Sequence, residues 1–212
     1  MTFFSIIIPV RTTNDFLKEN ITYLKQLDYP AFEVIIVMDA FENYLFNDSR
    51  FRIISSGPVG PGEKREIGDA HASGDIVAFL DDDAYPKSDW LQKAEKIFAQ
   101  NPDLYALGAP AVTPPNIDFL EKMSGKIYES FLASGNTRCR YIPGRRRLVK
   151  DYPTVNLFVK KEAFEKIGGF PLEFWPGEDT KLCLDLIDEY GKPFLYDPAP
   201  IVYHHRREVF TK

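Results

Sequence analysis

An apolar run, Ile76-Val77-Ala78-Phe79-Leu80, ends directly in Asp81-Asp82-Asp83. Aspartate is a poor strand former, and three adjacent carboxylates repel one another unless a cation or hydrogen-bond donors sit among them. At the end of a buried strand they make a preset oxygen cage for a hard divalent ion. Such an ion commonly completes its shell with waters and substrate phosphates. A solvated acidic turn is the plain alternative, since aspartate is also a common turn residue. Two further carboxylates, Glu178 and Asp179, open a helical stretch. There a carboxylate can take the proton of an attacking hydroxyl, or simply cap the helix and complement its dipole. His204 and His205 close the last apolar run. On strand alternation only one of them faces a site, and His204 is the one expected to offer a ring nitrogen to the ion.

These residues need a scaffold that gathers them. Phe4–Val10, Val34–Met38, Arg52–Ser55 and Ile76–Leu80 read as strands, with helical stretches near 15–27, 63–72 and 89–100 between and after them. In the first helix Phe16, Ile21, Leu24 and Leu27 fall near one side, expected to face inward, and Asn14 is placed to cap it. Continuous apolar strands alternating with helices predict an α/β fold: a doubly wound, mostly parallel central sheet with helices on both faces. Ligands of such sheets bind beyond the carboxyl ends of the strands, where Asp39 and the Asp81 cluster both lie. The second half is less regular. It shows a strand near Leu104–Ala109, a helix over Ile117–Ala133, a strand over Thr154–Val159, a short helix closed by Gly168-Gly169, a helix over Asp179–Tyr190 and a last strand at Ile201–Tyr203. Between Gly135 and Lys150 six basic residues occur with no acidic one: Arg138, Arg140, Arg145, Arg146, Arg147 and Lys150. This loop could close over a diphosphate, or meet an acidic acceptor or a lipid phosphate; a solvated loop is the commoner reason for a charge run.

Taken in order, these segments resemble the family 2 glycosyltransferases with the GT-A (Rossmann-like) fold, over nearly the whole chain. Ser5-Ile6-Ile7-Ile8-Pro9 resembles the opening strand, and Val34–Asp39 the second strand. Gly62–Asp83 resembles the following helix, strand and Asp-x-Asp cluster. Ile167-Gly168-Gly169-Phe170 with Gly177-Glu178-Asp179 resembles the later signature. The resemblance implies an inverting enzyme that uses Mn2+ or Mg2+ to move a sugar from a nucleoside-diphosphate sugar, commonly UDP-linked, to a hydroxyl acceptor. That acceptor would be a saccharide, a lipid-linked molecule or a small molecule, in cell-surface polysaccharide or glycolipid synthesis. It further implies that Asp83 ligates the ion while Asp81 and Asp82 reach ribose, donor sugar or water on the ion. Asp179, with Glu178 beside it, is implied as the general base. Asp39 is implied to read the nucleotide base, above a floor of Pro9 and Arg11. Lys64 and Arg65 follow a glycine-rich turn at a helix start, and one of them is expected to face the nucleotide. Trp175 and Phe174 would stack on a sugar, or pack in the core. Val10-Arg11 stands where relatives often carry Tyr-Asn, and no Gln-x-x-Arg-Trp segment follows Asp179, which favours transfer of a single sugar.

The bulk of the chain bounds these readings. Its 212 residues are expected to form a single catalytic domain, with 1–100 binding the nucleotide sugar and 101–212 the acceptor. A net charge of −5 argues against a general nucleic-acid binder, which needs excess positive charge to release counterions. Two cysteines without metal-ligand spacing, no leader segment and no membrane-length apolar run suggest a cytoplasmic protein. Through the 138–150 basic loop it would make peripheral contact with the inner membrane surface. Two rivals stand beside the main reading. A sugar-phosphate nucleotidyltransferase would need a glycine-rich loop after the first strand, where Arg11–Asp15 has none. A nucleotide-sugar-binding protein without catalysis would not need its carboxylates.

Overall fold

Residues 1–42, 46–174 and 176–207 are described in a computed structural model of the chain. The first half runs β1 (Phe4–Pro9), α1 (Asp15–Leu24), β2 (Phe32–Met38), β3 (Phe51–Ser55), α2 (Pro61–Ala70), β4 (Ile76–Leu80), β5 (Ala84–Pro86) and α3 (Trp90–Gln100). The second half runs β6 (Ala106–Gly108), β7 (Ala111–Val112), α4 (Phe119–Glu129), α5 (Phe131–Ser134), β8 (Arg147–Val149), β9 (Asn156–Lys160), α6 (Lys161–Lys166), α7 (Glu178–Tyr190), β10 (Phe194–Tyr196) and β11 (Val202–His204). A 3-10 turn covers Gly135–Arg140.

The main sheet has eight strands in the order β3-β2-β1-β4-β9-β6-β10-β8. Only β9 and β8 run against their neighbours; the other strands share one direction. The apolar runs form strands because both sheet faces are covered, and β1 is buried at every position. Ile6 and Ile8 pack with Leu17, Ile21, Trp90 and Leu91 of α1 and α3. The alternate residue Ile7 joins Val77, Phe79, Phe164 and Leu182 on the side of α6 and α7. Helix α2 lies on that second face at close range: a Cβ on Gly68 would stand 2.5 Å from Ile7 Cγ2. Fully burying each large apolar side chain contributes about 1.5–3 kcal/mol, so this two-sided core holds the strand ends in place.

A second, three-stranded sheet, β5-β11-β7, sets the position of the chain's last described strand. β11 runs antiparallel to β5 with His204 opposite Ala84, which carries His204 to the residue after Asp83. Neither β5 nor β7 is expected from the sequence; at two or three residues they are too short to show a periodicity.

Three expectations are corrected. The single helix over Ile117–Ala133 breaks at Ser130, whose backbone is extended (ψ 147°) and whose hydroxyl accepts from Ala133 N at 3.2 Å, ending α4 and capping α5. Phe16, expected on the inner side of α1, is 47 % exposed while Leu17 is buried in its stead. The basic segment is no free loop, since β8 pairs with β10 at the edge of the sheet.

Candidate active site

The Asp81 cluster leaves β4 with its carboxylates turned in different directions. Asp81 Oδ1 accepts from Arg65 Nη2 at 2.7 Å. Asp82 turns to α1, where its Oδ2 accepts from Asn14 Nδ2 at 2.7 Å; the same Asn14 caps the helix by accepting from Leu17 N at 2.8 Å. Asp83 Oδ1 lies 3.2 Å from His204 Nε2. Burial pushes the Asp82 carboxyl above its ordinary range, against the Asn14 hydrogen bond. Burial would raise Asp83 as well, but the hydrogen bond from His204 works against it and the carboxyl is held low.

One ligand atom from each of Asp81, Asp83 and His204 lies within 4.8 Å of the others, so these three side chains fit a single divalent cation. Hard carboxylate oxygens with one imidazole suit Mn2+ and accommodate Mg2+. Asp82 is turned away from that group. Arg206 Nη1 donates to His204 Nδ1 at 2.8 Å, which puts the ring proton on Nε2; ligation through Nε2 therefore requires the proton to move and Arg206 to give up this bond. His205 faces elsewhere, its ring nitrogens 2.9 Å from Glu121 Oε1 and 2.8 Å from Glu19 Oε2.

A cleft of about 400 Å³ joins these residues to Glu178 and Asp179 at the start of α7. Asp179 accepts from Thr154 twice, from its backbone N at 3.0 Å and its hydroxyl at 3.0 Å. Glu178 is buried, with Oε2 3.1 Å from Gly177 N. Arg65 ties the two carboxylate groups together: its Nη1 stands 3.8 Å from Glu178 and 3.9 Å from Asp179. Burial pushes Asp179 above the ordinary carboxylate range, with the Arg65 charge and the Thr154 bonds pulling the other way. The Gly168-Gly169 turn before α7 is fixed by geometry. Gly169 has φ +80°, and a Cβ there would collide with the Glu66 carboxylate that accepts from Phe170 N.

The remaining expected contacts divide. Pro9 lines the cleft, whereas the Arg11 side chain is exposed and does not. Asp39 sits at the end of β2 with its carboxylate paired to Lys64, whose ammonium also donates to Val10 O at 2.6 Å. Lys64 and Arg65 are both buried and face carboxylates, and Arg65 lines the cleft. Phe174 is 44 % exposed beneath Lys181 Nζ, 5.7 Å from the ring centre; Trp175 lies outside the described residues. The six cations of 138–150 are not without counter-charge. Arg140 pairs with Asp151 at 2.6 Å and Arg146 with Asp197 at 2.9 Å, and Arg140 is the member of the group that lines the cleft.

Two contributors escaped the sequence reading. Thr154 carries no motif, and its contact with Asp179 depends on β9 starting beside α7. Asn156 is a buried clasp: its amide donates to Pro110 O and Pro200 O, both at 2.9 Å, and accepts from Trp90 Nε1 at 3.0 Å. All three partners are more than forty positions away in sequence, so no local signal pointed to Asn156.

The profile of Glycosyl transferase family 2 matches residues 5–168, most of the chain. The chain belongs to glycosyl transferase family 2. This family 2 chain is 28% identical to the pre-mycofactocin glycosyltransferase of Mycobacterium tuberculosis, over 96% of its own length and 43% of the relative's. Its fold is similar to that of the mannosyltransferase PcManGT from Pyrobaculum calidifontis in complex with GDP-Man and Mn2+ (TM-score 0.70, 19% identity, 99% of this chain and 58% of that one). It is also similar to GalNAc-T7 with UDP, GalNAc and Mn2+ (TM-score 0.73, 14% identity, 98% of this chain and 44% of that one). The expected α/β architecture of the GT-A kind is thus the observed one. The family 2 chain spans less than half the length of the mycobacterial relative.

Proposed function

We propose that this chain transfers a single sugar from a nucleoside-diphosphate sugar to an acceptor hydroxyl with inversion at the anomeric carbon, UDP-linked donors being the first choice. The observation that carries this reading is the meeting, in one cleft, of the Asp81–Asp83–His204 group with the Glu178–Asp179 pair. Asp83, His204 and Asp81 would hold Mn2+ or Mg2+. A divalent cation there would supply positive charge to the diphosphate leaving group. PcManGT and GalNAc-T7, described with a nucleotide or nucleotide sugar and Mn2+, support both the donor class and the ion.

The protein's own groups do the rest. Asp179 takes the proton of the acceptor hydroxyl as it attacks, and Thr154 holds the carboxylate in place for that transfer. Arg65 offsets the charges of both Glu178 and Asp179, so that Asp179 can ionise despite burial. Asp39 reads the nucleotide base beside Pro9, and Lys64 positions Asp39. Asp82 braces the start of α1 through Asn14 instead of contacting the ion. Residues 1–100 supply the donor side and 101–212 the acceptor side. We place the activity in the cytoplasm, in the building of cell-surface polysaccharide or glycolipid; no helix among the described residues is long and apolar enough to cross a membrane.

The test is incubation with UDP-, GDP- and dTDP-sugars, with Mn2+ and with chelator. Release of nucleoside diphosphate that depends on the ion supports transfer. Release or consumption of pyrophosphate would instead mark a nucleotidyltransferase. Thermal stabilisation by a nucleotide sugar without turnover would mark a binding protein.

A further inference from the structure

Helix α4 is folded with its apolar side outward. The residues it buries are Glu121, Ser124 and Gly125, while Phe119, Met123 and Ile127, spaced four apart, are exposed, Phe119 at 73 %. Beyond the break at Ser130 the stripe continues in Phe131 and in Leu132, which is 98 % exposed. The helix cannot roll to hide this stripe. Glu121 accepts from Arg206 N at 2.8 Å and pairs with His205, and Gly125 sits so close that a Cβ would stand 2.5 Å from Thr113 Oγ1. An amphipathic helix ordinarily buries its apolar stripe, so one held outward by polar anchors marks an interaction face.

The charges around the stripe identify what fits it. Lys122 and Lys126 are exposed on α4 itself. The basic segment packs directly alongside: Arg138 Nε donates to Glu129 O at 2.6 Å, and the Tyr128 and Tyr141 rings lie 5.1 Å apart. Arg138, Arg145, Arg147 and Lys150 are all exposed there, together with Leu148. Nearby acids are engaged, Glu129 with Lys126 and Asp118 with the first turn of α4. In a chain of net charge −5 this is a locally basic rim around exposed apolar side chains. Apolar residues seated at the acyl boundary with Lys and Arg at the level of anionic headgroups is the pattern of a helix lying in a bilayer interface.

We propose that α4, α5 and the 138–150 segment form a docking face for an anionic lipid bilayer, with α4 lying in the interface. The bilayer is favoured over a protein groove because both halves of the pattern, apolar stripe and cationic rim, are satisfied by one partner. The face is coupled to the cleft through Glu121, which holds the backbone of Arg206 two residues from His204. This inference stands apart from the transfer reading and does not need it.

Flotation of the 212-residue chain with vesicles tests it. Phosphatidylcholine vesicles containing phosphatidylglycerol should carry the protein, and phosphatidylcholine alone should carry it much less, with binding falling as salt rises. The triple variant Phe119→Ser, Phe131→Ser, Leu132→Ser should lose at least tenfold in vesicle binding while its melting curve stays unchanged, because these side chains are 73 %, 67 % and 98 % exposed. Lys122→Gln with Arg145→Gln should lose roughly fivefold for each cation removed. No flotation with anionic vesicles, or equal binding by the triple variant, overturns the proposal. So does a concentration-dependent dimer that the triple variant abolishes, which would assign the face to a second copy of the chain.

Discussion

Arg65 donates to Asp81 Oδ1 at 2.7 Å from within the second helix, and the same guanidinium stands within 4.0 Å of both Glu178 and Asp179. One buried cation thus balances three carboxylates from two distant parts of the chain. Arg65→Ala leaves that charge uncompensated, and the expected cost is about 3–5 kcal/mol of folding stability with turnover reduced at least about a hundredfold. Arg65→Lys should not restore turnover, because a single ammonium cannot span the three partners that the planar fork reaches. Urea titration and nucleoside diphosphate release measure the two effects. A lysine variant with full activity would show that charge alone is needed.

Asp179 supplies a pH signature. A base acts when deprotonated, so with its carboxyl raised by burial the rate should be full above that raised value and fall as pH drops through it. Thr154→Val removes the hydroxyl donor that stabilises the ionised form, which should move the acid limb to higher pH. Asp179→Asn should lower turnover by about 10²–10⁴ while nucleotide-induced thermal stabilisation persists. An acid limb that stays put in Thr154→Val, or turnover retained by Asp179→Asn, removes the assignment.

Chelator should abolish turnover, and added Mn2+ should restore it. Asp83→Asn and His204→Ala each remove one of three converging ligand atoms and should weaken Mn2+ binding by at least about tenfold, read by calorimetry without any substrate. His205→Ala, at the neighbouring position, should leave Mn2+ affinity close to the parent value. Equal losses at the two histidines would contradict the placement.

Asp69, at the far end of α2, is a stability switch of its own. Burial raises its carboxyl to about 6, with Lys161 opposing and Glu165 adding to the shift, and Oδ1 has no hydrogen-bond partner. Because the folded value lies above the unfolded one, its contribution is fully present below about pH 4 and is lost as pH rises through 6. Asp69→Asn lacks that loss. Relative to the parent it should gain on the order of 1–2 kcal/mol between pH 4 and pH 7. Parallel stability–pH curves for the two proteins would refute this.

The strand ends were readable because continuous apolar runs between helices leave little choice of sheet, and Asp81–Asp83 interrupts one of them. Alternation likewise placed His204, and not His205, toward Asp83. What escaped depends on partners remote in sequence. Thr154 meets Asp179 only because β9 is reversed within the sheet. Of the counter-charges of the basic segment, Asp151 is the residue directly after it, and only Asp197 is remote in sequence. The period of α4 announces a helix, yet its outward face is decided by Glu121 finding His205 and Arg206 more than eighty positions later. Nothing local shows that Lys64 and Arg65 meet Asp39 and Asp81.

The pairing of β11 with β5 has a consequence in time. About 120 residues separate Asp83 from His204, so on a ribosome adding 5–20 residues per second the aspartates emerge roughly 6–24 s before the histidine that joins them. Throughout that interval the nascent polypeptide holds an unfinished ligand set. The candidate metal site of Asp81, Asp83 and His204 is complete only once β11 has paired with β5.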